Sequence, residues 1–211
     1  MSRPKPTPLF HFTHIDHLQT LVACGLLADA YAQQAGCIRY EAGNQGIKRK
    51  RRSRSVPIGP QGVVADYVPF YFAPRSPMMF SIHMNNVETY GGCDSDLIYL
   101  QTTVEDLVAH GSKLVFTDRN ATLEVCRFSD DLASLDSMID WPLMRARIWK
   151  NTEDDQERRE RRMAECLVHG HVPWSAISEI AVHSKQHADN INRTGSLGNR
   201  PSVSVRRNWY F

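Results

Sequence analysis

Glu165 stands at the junction of a basic stretch and a short apolar run, Arg161-Arg162-Met163-Ala164-Glu165-Cys166-Leu167-Val168. A carboxylate at the head of a buried strand, with cations just before it, is expected to be held in place by its neighbours. The block His11-Phe12-Thr13-His14-Ile15-Asp16 offers backbone and side-chain hydrogen bonds to a second part of a ligand. Together they suggest glycosyl transfer, because breaking a glycosidic bond builds positive charge on the sugar and a carboxylate can stabilise it.

Cations cluster elsewhere too. Lys48 to Arg54 reads Lys-Arg-Lys-Arg-Arg-Ser-Arg; Arg158, Arg159, Arg161 and Arg162 precede Glu165; Arg206 and Arg207 lie near Trp209, Tyr210 and Phe211. Such runs attract a polyanion, nucleic acid first among them, and the bland reading is a solvated loop. The net charge of +2 over 211 residues hides this distribution.

The elements that must position these groups read as follows. Residues 17–24 suit a short helix with Asp16 as N-cap, ended by Gly25. Residues 36–62 are rich in glycine and basic residues and read as a long loop. Residues 63–72 are β-branched and aromatic, with Pro69 confining that part to an edge or bulge. Ser76-Pro77 opens a helix within 75–84. Residues 97–101 and 113–117 read as strands, and Thr103 to Asp106 has capping-box spacing before a helix ending near Gly111. Residues 132–138 and 141–149 look helical; strands follow from Glu165, over 177–183 and over 203–209. Many short strands without βαβ alternation indicate an α+β fold, here one domain spanning residues 1–211.

Other chemistries find less support. No glycine cluster between strand and helix forms a P-loop or dinucleotide fingerprint. His11-x-x-His14 and His169-x-His171 lack the cysteine or glutamate spacings of a metal site, so no metal is expected. Five scattered cysteines argue against a disulfide scaffold, and Cys24 and Cys166 read as core. No apolar run suits a membrane span or a signal peptide, which makes the cytoplasm the expected compartment. The aromatics of Asp66 to Phe72 can stack bases, or alternately face the core.

The ordered set of blocks is identified as similar to the DarT family, bacterial toxins that transfer ADP-ribose from NAD to a base of single-stranded DNA. The blocks are His11 to Asp16, Asp66-Tyr-Val-Pro-Phe-Tyr-Phe72 with Pro74, Ser76, Pro77 and Met78, Val115-Phe-Thr-Asp118, Arg162-x-Ala164-Glu165-x-Leu167, and Trp209-Tyr210. They span essentially the whole chain and most resemble the thymidine-modifying branch. The resemblance implies an ADP-ribosyltransferase fold, a split mixed sheet with a cleft for NAD, which serves as ADP-ribose donor. It implies that His11, Phe12 and Thr13 grip the nicotinamide end and its ribose, that Leu27 lines the pocket, and that Glu165 is the catalytic glutamate. Arg51 matches the active-site arginine, also near NAD; a register shifted by one would choose Arg52. Arg75, Ser76, Pro77, Met78, Met79 and Phe80 would form a DNA platform. Lys150, Asn151, Thr152 and Glu153, with Arg159, Glu160, Arg161, Arg162 and Met163, would present the base. A macrodomain antitoxin is the implied partner.

The chain departs from the pattern at Asn120, where many relatives carry histidine; asparagine hydrogen-bonds but carries no proton at neutral pH. The segment 149–162 also looks longer than in those relatives. Arginine is a poor base, so Arg51 is read as binding a phosphate of NAD or stabilising the developing thymine N3 anion. Two other readings stand beside this one: a non-catalytic binder of single-stranded nucleic acid, and the same fold acting on guanosine, RNA or protein.

Overall fold

Alternating apolar residues fix the strands, and the strands fix the site. The computed structural model describes residues 2–193, 197 and 201–211. Its strands are β1 (Pro8–His14), β2 (Leu26–Leu27), β3 (Tyr67–Tyr71), β4 (Leu97–Thr103), β5 (Leu114–Thr117), β6 (Phe128–Ser129), β7 (Glu165–His169), β8 (His171–Val172), β9 (Glu179–Val182) and β10 (Ser202–Val205). Its helices are α1 (Leu18–Cys24), α2 (Asp29–Gln34), α3 (Gln45–Ser53), α4 (Pro77–His83), α5 (Val104–Ala109), α6 (Leu135–Met138), α7 (Trp141–Arg145), α8 (Arg158–Arg161) and α9 (Lys185–Arg193).

The described residues build an eight-stranded sheet in the order β10-β9-β4-β1-β3-β7-β5-β6, while β2 and β8 pair separately. β10 runs parallel to β9 and the other neighbours are antiparallel, so the sheet is mixed. The period of two divides the core between its faces. Leu9, Val68, Phe70, Leu100, Phe116 and Val168 enter one apolar cluster. Phe10, Phe12, Tyr71 and Tyr99 enter another with Met79 of α4 and Tyr210. The α+β reading holds.

Between β1 and β3 the sheet opens. Among the described residues their register holds a single pair, Phe10 opposite Tyr71, whereas β1 pairs with β4 from Pro8 to His14 and β3 with β7 from Tyr67 to Tyr71. Pro69 explains the opening. The N–H and C=O of one strand residue point to the same neighbour, and the Pro69 carbonyl takes a hydrogen bond from the His11 ring at Nδ1, 2.8 Å away on the β1 side. The donor that proline lacks is therefore missing along the seam. Proline was expected at an edge, and here an inner strand behaves as one.

Local signals account for several boundaries. Ser76 caps α4 by accepting from Met79 N, with Pro77 in its first turn, and Thr103 caps α5 by accepting from Asp106 N. Gly25 ends α1 at φ +71°, where a Cβ would lie 2.4 Å from the Val172 carbonyl oxygen. Five expectations fail, the first being the strand over 203–209, since β10 ends at Val205 and Arg207–Trp209 form a 3-10 turn. Asp16 sits inside a 3-10 turn and not at the N-cap of α1. The long loop at 36–62 contains α3, begun by Asn44 accepting from Ile47 N. α7 ends at Arg145, well short of Trp149. Cys24 is exposed, although Cys166 is buried. No helix of the described residues is long and apolar enough to cross a membrane.

Candidate active site

Glu165 opens β7 between Tyr71 of β3 and Thr117 of β5, its register partners. It is 1 % exposed. Its main chain is fixed by Thr117, whose hydroxyl accepts from the Glu165 N–H at 3.1 Å. Its carboxylate accepts from Arg51 Nη1 at 2.9 Å through Oε1 and from the Ala121 N–H at 3.0 Å through Oε2. Both oxygens are thus aimed, and each keeps acceptor capacity for a ligand hydroxyl.

The cations that flank Glu165 in sequence do not hold it. Arg161 pairs with Asp155 at 2.7 Å and Asp140 at 3.2 Å, and this bond to Arg161 lowers the Asp155 carboxyl. Arg162 is 4 % exposed and donates to the carbonyls of Leu143, Met144, Ala146 and Pro74. The partner comes instead from α3. There Lys48, Arg51 and Arg52 fall on one face at helical spacing. Lys48 is buried and paired with Asp29 at 2.5 Å and with Glu41. Arg51 reaches Glu165, and Arg52 turns outward with Asp29 at 3.5 Å. Geometry thus favours Arg51 over Arg52. Arg51 Nη2 is buried without a hydrogen-bond partner among the described residues, a donor left for a ligand. Arg49 and Lys50 face solvent, so the basic run is only partly an outward patch.

The seam between β1 and β3 opens into a cavity of 380 Å³ lined by His11, Phe12, Thr13, Leu27, Arg51 and Glu165 among others. The expected donor-binding residues therefore converge with the expected catalytic pair. Burial, reinforced by the Arg51 charge and opposed by the bond to Pro69 O, lowers His11 to about 4. His11 is thus neutral near pH 7, with Nδ1–H donating to the carbonyl and Nε2 left as an acceptor. Asn120 lines the same cavity, its Oδ1 occupied by the Thr122 N–H at 2.9 Å and hydroxyl at 2.6 Å.

The expected DNA platform sorts into surface and scaffold. Phe80 is 37 % exposed and packs edge-on against Phe211 at 5.0 Å and Trp149 at 6.0 Å. Met78, Arg159 and Met163 line the cavity. Lys150, Asn151, Thr152 and Glu153 are exposed, and Glu160 sits within reach of Arg119 at 3.5 Å. Met79, Ser76, Pro77 and Arg162 are buried: the first three seat α4, Pro77 also lining the cavity, and Arg162 donates to four carbonyls. Arg75, at φ +55°, is half-buried, lies 4.0 Å over the Phe211 ring and donates to the Tyr210 carbonyl, so it holds the C-terminal residues. Tyr67, Phe70, Tyr71 and Phe72 are all buried, Tyr67 and Tyr71 in the wall of the cavity.

Sequence reasoning missed what lies outside the blocks: Lys48, Asp29 and Glu41 on the wall, and the Ala121 amide on the carboxylate. Paired opposite charges in a glycine-rich, basic segment gave no periodic signal.

The family model described as ssDNA thymidine ADP-ribosyltransferase, DarT, matches residues 10–211. A DNA ADP-ribosyl transferase of Thermus sp. (strain 2.9) is 36 % identical over 211 residues, covering 99 % of this chain and 98 % of the relative. The structure of Thermus sp. 2.9 DarT in complex with ADP-ribosylated ssDNA matches with a TM-score of 0.91 at 34 % identity, over 100 % of this chain and 99 % of that one. The same protein in complex with NAD+ matches at 0.87 and 34 %, over 100 % of both chains. A fusion of a DNA ADP-ribosyl transferase with a DNA ADP-ribosyl glycohydrolase from Thermosipho africanus is 24 % identical over 202 residues, 95 % of this chain and 48 % of the fusion.

Proposed function

We propose a reaction on the premise that this chain belongs to the DarT family, as the match over residues 10–211 establishes: it transfers ADP-ribose from NAD to thymidine in single-stranded DNA. The observation that carries the reading is the buried Arg51–Glu165 pair, 2.9 Å apart, facing a cavity in the split sheet. The bond from C1′ of the ribose to nicotinamide breaks, nicotinamide leaves neutral with the electron pair, and thymine N3 bonds to C1′ while losing its proton to solvent.

Glu165 accepts from a hydroxyl of the ribose and opposes the positive charge that builds on the ring. Arg51 keeps the carboxylate oriented and offers Nη2 to a phosphate of NAD or to the developing N3 anion. His11, Phe12, Thr13 and Leu27 enclose the nicotinamide ribose end. Phe80, Met78, Arg159, Met163 and the exposed residues 150–153 form the DNA face. Single strands suit this site because pairing hides N3.

One sheet takes strands from both ends of the chain, which supports one domain over residues 1–211. The relative fused to a glycohydrolase supports a partner that removes the modification, a macrodomain antitoxin, and a toxin acting on bacterial DNA belongs in the cytoplasm.

Mass spectrometry of mixed-sequence single-stranded oligonucleotides after incubation with NAD tests this. Thymine-bearing strands gain one ADP-ribose with the wild type and none with Glu165→Ala. Binding of strands without any adduct would make the chain a nucleic-acid-binding module instead.

A further inference from the structure

His17 lies on the 3-10 turn that follows β1, buried beside the cavity it helps line. Its Nε2 accepts from the backbone amides of Arg39 at 3.1 Å and Tyr40 at 3.2 Å. Its Nδ1 lies 2.8 Å from Thr13 Oγ1. A nitrogen that accepts from two amides carries no proton, so the neutral ring holds its proton on Nδ1 and donates it to the Thr13 oxygen. The Thr13 hydroxyl then keeps its own hydrogen for a partner, and Thr13 lines the cavity.

The second arm matters as much. Ile38, Tyr40, Glu41, Ala42 and Gly43 form one cavity wall in a stretch without regular secondary structure. The wall is tied by Glu41 to Lys48, by Tyr40 stacked on His14 at 4.0 Å, and by His17. We propose that His17 is a positioning residue for the donor: it clamps residues 39–40 against the cavity and turns the Thr13 hydroxyl outward as a donor to the dinucleotide. The proposal rests on the NAD reading above.

Protonation would break the clamp, because an imidazolium has no lone pair for the two amides. Burial and His14 lower the His17 pKa, Arg39 adds to this, and Asp16 and Glu41 oppose it. The neutral ring therefore persists at pH 7, and the clamp is lost as pH falls below 6.5 through that lowered value.

Steady-state ADP-ribosylation of a thymine-bearing oligonucleotide, from pH 5 to 8, tests this with His17→Ala and His17→Gln. Glutamine places Oε1 about where Nε2 stood and does not titrate. His17→Ala raises KM for NAD about tenfold, as for loss of a hydrogen-bonded clamp, and changes kcat less than about threefold. His17→Gln, which keeps the acceptor for the two amides but lacks the Nδ1–H toward Thr13, recovers part of that loss in KM and abolishes the acid rise in KM that the wild type shows. Calorimetric titration of NAD alone reads the same loss in affinity without any acceptor. If thymine is not modified but NAD binding follows this pattern, the acceptor reading fails and the His17 role stands. Equal NAD affinity in wild type and His17→Ala, an acid rise that survives in His17→Gln, or a His17→Gln as weak as His17→Ala would overturn it.

Discussion

Glu165→Ala strips two donors of their acceptor at once, Arg51 Nη1 at 2.9 Å and the Ala121 amide at 3.0 Å. A buried amide left unpaired costs about 1–3 kcal/mol, and a cation left unpaired in a buried ion pair about 3–5 kcal/mol. The Arg51 side chain keeps 12 % exposure and borders an open cavity, so water relieves much of the second cost. A net loss of about 3 kcal/mol is expected from those terms. For a chain of this size it lowers the melting temperature by about 6–12 °C. Arg51→Met, of similar reach but uncharged, removes the stranded cation, so the double variant recovers part of the loss. The coupling in a double-mutant cycle is about 1–3 kcal/mol. Glu165→Gln lies between, since its amide NH₂ must face one of the two donors. Urea and thermal unfolding at pH 7 without NAD, followed by tryptophan fluorescence, measure all five proteins. A Glu165→Ala variant that melts with the wild type, or a coupling under about 0.5 kcal/mol, would refute the view that this pair holds the site together.

Arg51→Ala abolishes transfer while Arg52→Ala retains it, because Arg51 reaches Glu165 and Arg52 only Asp29; oligonucleotide mass spectrometry separates the two. His11, lowered to about 4 by burial, takes a proton in the unfolded chain near 6.5 and in the folded one only near 4. Stability therefore falls as pH drops from 6.5 to 4, by at most about 3 kcal/mol, and His11→Asn flattens that part of the profile in urea titrations. Arg162→Lys loses most of the bonds to Leu143, Met144, Ala146 and Pro74. A single ammonium cannot span them, so thermal melts show a loss of about 2–4 kcal/mol.

The blocks made Glu165, His11 to Thr13 and the α4 cap legible because each depends on neighbours in sequence or on residue types with one conformational use. α3 was not. Between Gln45 and Ser53 only Ile47 is apolar, and hydrophobic periodicity is what a helix normally shows. Its inward face is ionic: Lys48 meets Asp29 and Glu41, and Arg51 meets Glu165, partners that lie as far as 114 residues away. The same distance misled the reading of Glu165, whose adjacent arginines were assumed to be its partners. Cys24 looked apolar by its neighbours, yet it ends a short helix on the outer side. Arg75 and Met79 belong to a block that resembled a surface for DNA, and the packing of Met79 beside Tyr99 and Tyr210 and the bonds from Arg75 to those two residues were not legible in it.

The seam between β1 and β3 has a mechanical meaning. The two halves of the sheet are leaves of a book, stitched at Phe10 and Tyr71 and by the thread from His11 to Pro69. A dinucleotide in that opening would act as binding for the spine, gripping both leaves where the backbone ladder does not. The ligand would then be part of the architecture: with NAD at a hundred times its dissociation constant the fold gains about 2.7 kcal/mol. In a cell that keeps the dinucleotide plentiful, the sturdier form would also be the armed one.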